Sequence, residues 1–505
     1  MQQLFQHIAD KAQDDPFALA IISPDVSINY LKLYLLIQSG VEFLVSNHIK
    51  ANDRVGLLFD KPINHFIAAL ACLYHGCTQV PFHKTSTKSL LENYAKATRC
   101  QYLLSDLINR SDALFQFEFS IAKLKIPNFE NSTKISKSTA GAEQIAILII
   151  GSGTTGKNKI IPVTFSALEL QITRDINIHS LQENERFLAL SPISYYTSLR
   201  RMLASLQSHA CAVFYDNNKN DLASFCNRLK IDHLSLVMTH AQYLFSIFSP
   251  QTTKKPRLPY LKSLFIGASP ISQAMREFLQ NEITPNVYIF YGPNEIGAST
   301  CAHLNNTGNI AGTIGLAVEG VQIEIVDDND NLCAIGETGR MRLKAEGLCK
   351  HYEDDENNFI SNESFKDGWF YPKDLAFIDS EGHIIFQGRE DDLIIYYGNN
   401  IYPRQIEEVL EQHPMVKEAA AFGISLQNGE QIPLAVISIK DDLDTKDDLE
   451  LAENDLIKKI KHFCDEKLHI CSPAHIQIEN ELPKNAAGKI LKRELKEKYQ
   501  KIFIS

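Results

Sequence analysis

A chain of 505 residues that is 44% hydrophobic and 22% charged is long enough for more than one domain and has the composition of an ordinary soluble globular protein. Its net charge of −11 gives no support to nucleic acid or an anionic membrane surface as a partner. The ten cysteines are scattered without a C-x-x-C pair, and the closest two, Cys72 and Cys77, enclose too few ligands for a zinc site. Such usage suits a reducing compartment and predicts a cytoplasmic protein.

The first residues lack the basic and apolar regions of a signal peptide, and Leu4, Ile8 and Ala12 are spaced as one face of an amphipathic helix. No apolar run reaches the roughly 18 residues of a membrane span. Residues 18–23 read as a strand, Tyr30 to Asn47 as a helix, 54–59 as a strand, Ile63 to His75 as a buried helix and 78–82 as a strand. Further strands are expected at Cys100 to Ser105, Ile145 to Ile150, Phe187 to Leu190, Cys211 to Tyr215, Leu234 to Met238 and Leu264 to Ile266. This alternation predicts an α/β fold with a parallel sheet covered by helices. Around Gly312 the pattern changes to alternating segments punctuated by Gly and Asp, at 312–330, 336–347 and 383–390, which predicts a small antiparallel β unit. A composition shift at Gly388 to Asp392 separates a large N-terminal domain, 1–388, from a small α+β C-terminal domain, 393–505, with 389–392 between them. In that second domain Pro403 to His413 and Leu456 to Glu466 read as helices, 419–423 and 434–440 as strands, and 489–501 as a basic tail. The acidic stretch 441–455 reads as a solvated loop and helix start.

The strand ending at Ile150 feeds a turn rich in Gly, Ser, Thr and Lys, which is phosphate-binding chemistry: glycines let backbone N–H groups face a polyanion, hydroxyls add donors and lysines add charge. Gly151, Gly153 and Gly156 satisfy G-x-G-x-x-G, but the following Lys157 to Pro162 reads as an extended segment ended by proline rather than as a helix. Gly151 to Lys157 also spells G-x-x-x-x-G-K, yet Asn158 stands where a P-loop needs Ser or Thr for its metal. A third pattern, S-G-T-T-G-K-x-K, starts at Ser152 and ends at Lys159.

Five later segments decide between these readings. They are Phe265 to Pro270, with Gly267, Ala268 and Ser269; Tyr291-Gly292-Pro293-Asn294-Glu295; Asp367 to Leu375 with Asp374, followed by Gly388 to Ile394 with Arg389 and Asp391; and Leu482 to Ile490 with Lys489. In this order they resemble the adenylate-forming superfamily of acyl-CoA synthetases, acyl-AMP ligases and adenylation domains, and the resemblance covers nearly the whole chain. It implies that Ser152, Gly153, Thr154, Thr155, Gly156 and Lys159 bind ATP phosphates, that Gly267, Ala268, Ser269, Tyr291, Gly292 and Asn294 surround the nucleotide, and that Asp374 and Arg389 hold the ribose. Glu295 would carry Mg²⁺ and Lys489 would be the catalytic lysine bridging substrate carboxylate and α-phosphate. The C-terminal domain would be mobile about a hinge at Asp391, bringing Gly398 to a pantetheine channel for CoA or a phosphopantetheine carrier protein. The implied activity is ATP-dependent formation of an acyl-AMP, then transfer to a thiol.

Amino-acid-activating members carry an aspartate for the substrate amine after the phosphate loop; Ser191 to Leu199 has no acidic residue, so a fatty or aryl acid is expected. Other members often have a histidine near Tyr195, absent here from that segment. The 398–410 segment looks more like ligases that load carrier proteins than like short-chain acyl-CoA synthetases. Gly151, Asn158, Ile160, Asn294, Tyr371, Pro372 and Lys373 depart from the family pattern, which leaves open an impaired, nucleotide-binding regulatory protein on the same fold. A P-loop kinase or ATPase is the remaining rival.

Overall fold

The computed structural model describes residues 1–107, 110–126, 140–151, 159–216, 221–248, 257–267, 271–307, 310, 312–353, 359–397, 399–426, 431–440, 449–485 and 488–504. A six-stranded sheet runs in the order Phe115–Glu118, Tyr102–Ser105, Arg54–Leu58, Thr78–Pro81, Ile145–Gly151 and Lys159–Thr164. The first five strands pair in parallel, because helices such as Pro62–His75 return the chain across the sheet. That helix starts at a proline and ends at Gly76, whose φ of 84° suits a left-handed cap. The segment expected to end at Pro162 instead continues as a strand to Thr164, antiparallel to Ile145–Gly151. Proline fits because this strand is the last in the sheet order, so its missing N–H can face the unpaired side.

A larger sheet carries His233–Val237, Ser263–Gly267 and Val287–Tyr291 as parallel neighbours. It then turns antiparallel through Thr300–His303 and Thr313–Ala317 to Ile384–Arg389 and Asp374–Ile378. The expected small antiparallel unit is thus hydrogen-bonded directly onto the parallel sheet. Helices Phe165–His179 and Tyr196–Gln207 lie beside one another and bury Leu168, Ile172, Leu199 and Leu203 in the main apolar core.

The C-terminal part has its own core around a three-stranded sheet of Val416–Ser425, Gln431–Ile439 and His475–Ile478. The helix expected at Leu456 begins earlier, running Leu449–Leu468. The basic tail is largely a helix, Lys492–Ile504, that buries Leu495 and Tyr499. Residues 441–448 of the acidic stretch lie outside the described residues. All cysteines are free, and burial pushes the thiols of Cys100, Cys211, Cys226, Cys301 and Cys349 up to about 12. Among the described residues no helix is long and apolar enough to cross a membrane.

Candidate active site

The site forms at the C-terminal ends of the parallel strands Ser263–Gly267 and Val287–Tyr291, where open α/β sheets bind ligands. After Tyr291 the chain folds back sharply: Gly297 N–H donates to the Pro293 carbonyl at 2.8 Å, and Ser299 N–H to the Tyr291 carbonyl at 2.9 Å. A Cβ at Gly292 would lie 2.4 Å from the Gly297 carbonyl oxygen, so the turn needs glycine there. Asn294 and Glu295 project from this turn.

Glu295 accepts a hydrogen bond from Tyr352 Oη at 2.8 Å. Lys159 Nζ reaches the same hydroxyl at 3.4 Å and lies 4.8 Å from the centre of the Tyr352 ring. Burial raises the Glu295 carboxyl above its ordinary value, while the Tyr352 hydroxyl and the Lys159 and Arg389 charges pull it back. Behind the turn stands a buried polar clamp. Arg174 donates to the Ile296 carbonyl at 2.8 Å and to the Glu346 carbonyl at 2.6 Å. Arg200 pairs with Asp175 at 2.6 Å and meets Gln171 at 3.2 Å, and Tyr196 Oη donates to Gln171 at 2.8 Å.

Opposite, the sheet register sets Asp374 against Arg389 on antiparallel strands. Asp374 is 6% exposed, accepts from Tyr291 Oη at 2.5 Å, and has Arg389 3.5 Å away. Burial raises its pKa, against the lowering effect of Arg389, Tyr291 and Lys489. Among the described residues the buried Arg389 Nε has no hydrogen-bond partner.

Lys489 sits on a hairpin in which Asn485 Oδ1 accepts from Lys489 N–H at 3.0 Å and the Asn485 carbonyl from Gly488 N–H at 2.9 Å. The hairpin docks on the start of helix Met238–Ile247: a Cβ at Gly488 would lie 2.5 Å from Thr239 Cγ2. Glu418 ties the same surfaces, taking Gln242 at 2.6 Å and Lys484 at 2.5 Å. The protein around the solvent-accessible Lys489 lowers its pKa, Arg389 lowers it further, and Asp374 and Asp392 raise it. Glu390–Asp392 is a single 3-10 turn, with Asp391 3.7 Å from Arg389.

Lys159, Gly267, Tyr291, Gly292, Asn294, Glu295, Asp374, Arg389, Asp391 and Lys489 all belong to this region. Ser152, Gly153, Thr154, Thr155, Gly156, Ala268, Ser269 and Gly398 lie outside the described residues. Sequence spacing does not mark Tyr352 or Arg174, because their partners are remote: Tyr352 lies 57 residues from Glu295 and 193 from Lys159, and Arg174 lies 122 from Ile296. A histidine does stand beside Tyr195, but it is His83, with ring centroids 5.6 Å apart.

Comparison with known proteins gives matches over nearly the whole chain. The family model described as AMP-binding enzyme matches residues 6–353, and the AMP-binding enzyme C-terminal domain matches 405–489. A 2-succinylbenzoate–CoA ligase of Bacillus cytotoxicus is 25% identical over 98% of this chain and 99% of its own, and the one from Bacillus subtilis is 25% identical over 97% of each. The crystal structure of ATP-bound MatB from Rhodopseudomonas palustris superposes with a TM-score of 0.85 at 22% identity over 99% of both chains. The o-succinylbenzoate CoA synthetase MenE of Bacillus subtilis with its acyl-adenylate intermediate gives 0.81 at 22% identity over 97% of both.

Proposed function

Since the chain belongs to the AMP-binding enzyme family, we propose that it joins a carboxylic acid to the thiol of CoA through an acyl-AMP, with an aryl or fatty acid as substrate and 2-succinylbenzoate the first acid to test. The observation that carries the reading is the convergence of Glu295, Asp374, Arg389 and Lys489 from four segments beside the strand ends of one sheet. A carboxylate is a poor electrophile. Its oxygen attacks the α-phosphate of ATP, pyrophosphate leaves, and the mixed anhydride remains. Negative charge grows on the phosphate oxygens as this happens, and the Lys489 ammonium faces it. Asp374 takes the ribose hydroxyls, since a carboxylate accepts from two donors at once, and Tyr291 and Arg389 fix its orientation. Among the described residues no three His, Cys, Asp or Glu side chains gather as a metal cage. Glu295 offers a hard carboxylate oxygen that would hold Mg²⁺, and the ion would supply neutralisation of phosphate charge. In the second step a thiolate sulfur attacks the acyl carbonyl, the thioester forms and AMP leaves. The segment 389–392 acts as the hinge on which the C-terminal domain, 393–505, exchanges Lys489 for the loop around Gly398.

The relatives named as CoA ligases favour CoA over a carrier protein. The lack of an acidic residue in Ser191 to Leu199 argues against amino acids. Absence of a membrane-spanning helix among the described residues is compatible with work in the cytoplasm. The test is pyrophosphate release from MgATP with a panel of aryl, fatty and amino acids, each with and without CoA. Release with one acid, and thioester only with CoA, is expected. Adenylate without CoA turnover would shift the acceptor to a carrier protein, and silence with every acid would favour the impaired regulatory protein.

A further inference from the structure

Lys373 interrupts the segment leading into Asp374 with a backbone φ of 63°, in the left-handed region that favours glycine. A long side chain kept where the backbone disfavours one points to work done by that side chain. Its surroundings indicate which work. The Lys373 carbonyl accepts from Glu390 N–H at 2.9 Å, while its ammonium lies 3.8 Å from Asp391 Oδ1 and 3.5 Å from Glu363 Oε2. One residue therefore holds two consecutive residues of the 3-10 turn, one through its main chain and one through its charge. These groups line a cavity of about 320 Å³ together with Arg340, Tyr371 and Glu390. The next residue in the chain is Asp374.

We propose that Lys373 is a positioning residue that grips the 390–391 turn and so holds the Lys489 hairpin in its acid-activating place, coupling the nucleotide at Asp374 to the position of the C-terminal domain. This rests on the proposed hinge at Asp391. The side chains involved are a third or more exposed, at 33% for Lys373 and 37% for Asp391, so salt and solvent weaken the grip and the pull is small. A weak grip is what a reversible hinge requires, because the same contact must open in each turnover.

The experiment is hydrogen–deuterium exchange on the full chain, with and without MgATP, for the natural protein, Lys373→Gln and Lys373→Gly. Glycine suits the left-handed backbone, so that variant removes the charge without a folding penalty, and glutamine keeps length without charge. Both variants should exchange about two- to fivefold faster in 488–491 and 238–247, the two docked surfaces, with strands Asp374–Ile378 and Ile384–Arg389 unchanged. High salt should produce the same change in the natural protein. Unaltered exchange at the docked surfaces in both variants would overturn the proposal, as would a loss confined to the two strands. Asp391→Pro separates the two readings. If it alters the balance of adenylate formation and thioester formation while the Lys373 variants exchange normally, the hinge stands and Lys373 has no part in it; if it leaves that balance untouched, the hinge and this proposal fall together.

Discussion

Glu295 and Lys489 belong to the same proposed nucleotide site but are held in opposite ways. The turn bearing Glu295 is backed by Arg174, Gln171, Asp175, Tyr196 and Arg200, and the Arg200–Asp175 pair has side chains only 3% and 1% exposed. The hairpin bearing Lys489 touches the large domain through Gly488 on Thr239 and through the Glu418 contacts, and its tether is a three-residue turn with no buried residue. A buried network of charges fixes geometry because breaking any member leaves a partner unsatisfied in low dielectric. A surface contact of a few side chains opens at small cost. The contrast implies that the carboxylate proposed for Mg²⁺ is built to stay and the lysine is built to leave.

The largest effect should come from the mobile side. Lys489→Ala should lower acid-dependent pyrophosphate release by about 10²- to 10³-fold, the scale of losing one preorganised charge at a developing anion, with little change in the Mg²⁺ requirement. Equal losses in Mg²⁺ affinity and rate would break the proposed division of labour.

Next comes the fixed side. Arg174→Met should leave the Ile296 and Glu346 carbonyls without donors, lowering stability by about 1–3 kcal/mol and raising the Mg²⁺ concentration for half-maximal rate about 10- to 100-fold. Thermal unfolding and a Mg²⁺ titration together read both. A fall in stability with an unchanged titration would show that the clamp does not position Glu295.

A pH series sharpens the same comparison. Glu295 and Asp374 have folded values raised above 4.5 and 3.8. The stability their protonated forms contribute is present at low pH and is lost as pH rises through the raised folded values. MgATP binding needs the ionised carboxylates and should run the other way, strengthening at most about tenfold per pH unit per proton released over that window. Lys489 is depressed below 10.5, so the adenylation rate should fall at alkaline pH earlier than an ordinary lysine would dictate. Calorimetry in buffers of different ionisation heat, run within that window, counts the protons released on MgATP binding, and none released there would contradict the Glu295 assignment.

The smallest effect is expected at Tyr352. Tyr352→Phe removes one hydrogen bond to Glu295 and keeps the ring under Lys159, so pyrophosphate release should fall only a few-fold, about 1 kcal/mol.

How much of this could be read in the chain depends on whether partners are neighbours in sequence. Tyr291 to Glu295, Asp374, Arg389 and the hairpin ending at Lys489 are short motifs of tightly bent backbone, and such bends confine residue type at fixed spacing. The parallel sheet was legible for a similar reason, since its strands are apolar runs between helical patterns. Arg174 and Tyr352 looked like an ordinary helix residue and an ordinary aromatic, and only the fold brings them to Ile296 and Glu295. The ring beside Tyr195 is that of His83, which sequence cannot show because it follows a distant strand. Pro162 looked like a stop and lies inside a strand, because its strand ends the sheet. Lys373 looked like a defect in a motif until its left-handed backbone and its two hold points on the turn were seen.

The buried thiols bear on a hazard of the proposed chemistry. An acyl-AMP acylates any sulfur anion it meets, and Cys301 and Cys349 lie on segments next to those that form the site. With their thiols held near 12 by burial, almost none of either is anionic at neutral pH, and the sulfur that can collect the acyl group is the one that arrives from outside. Burial thus makes these two thiols poor acceptors beside the site.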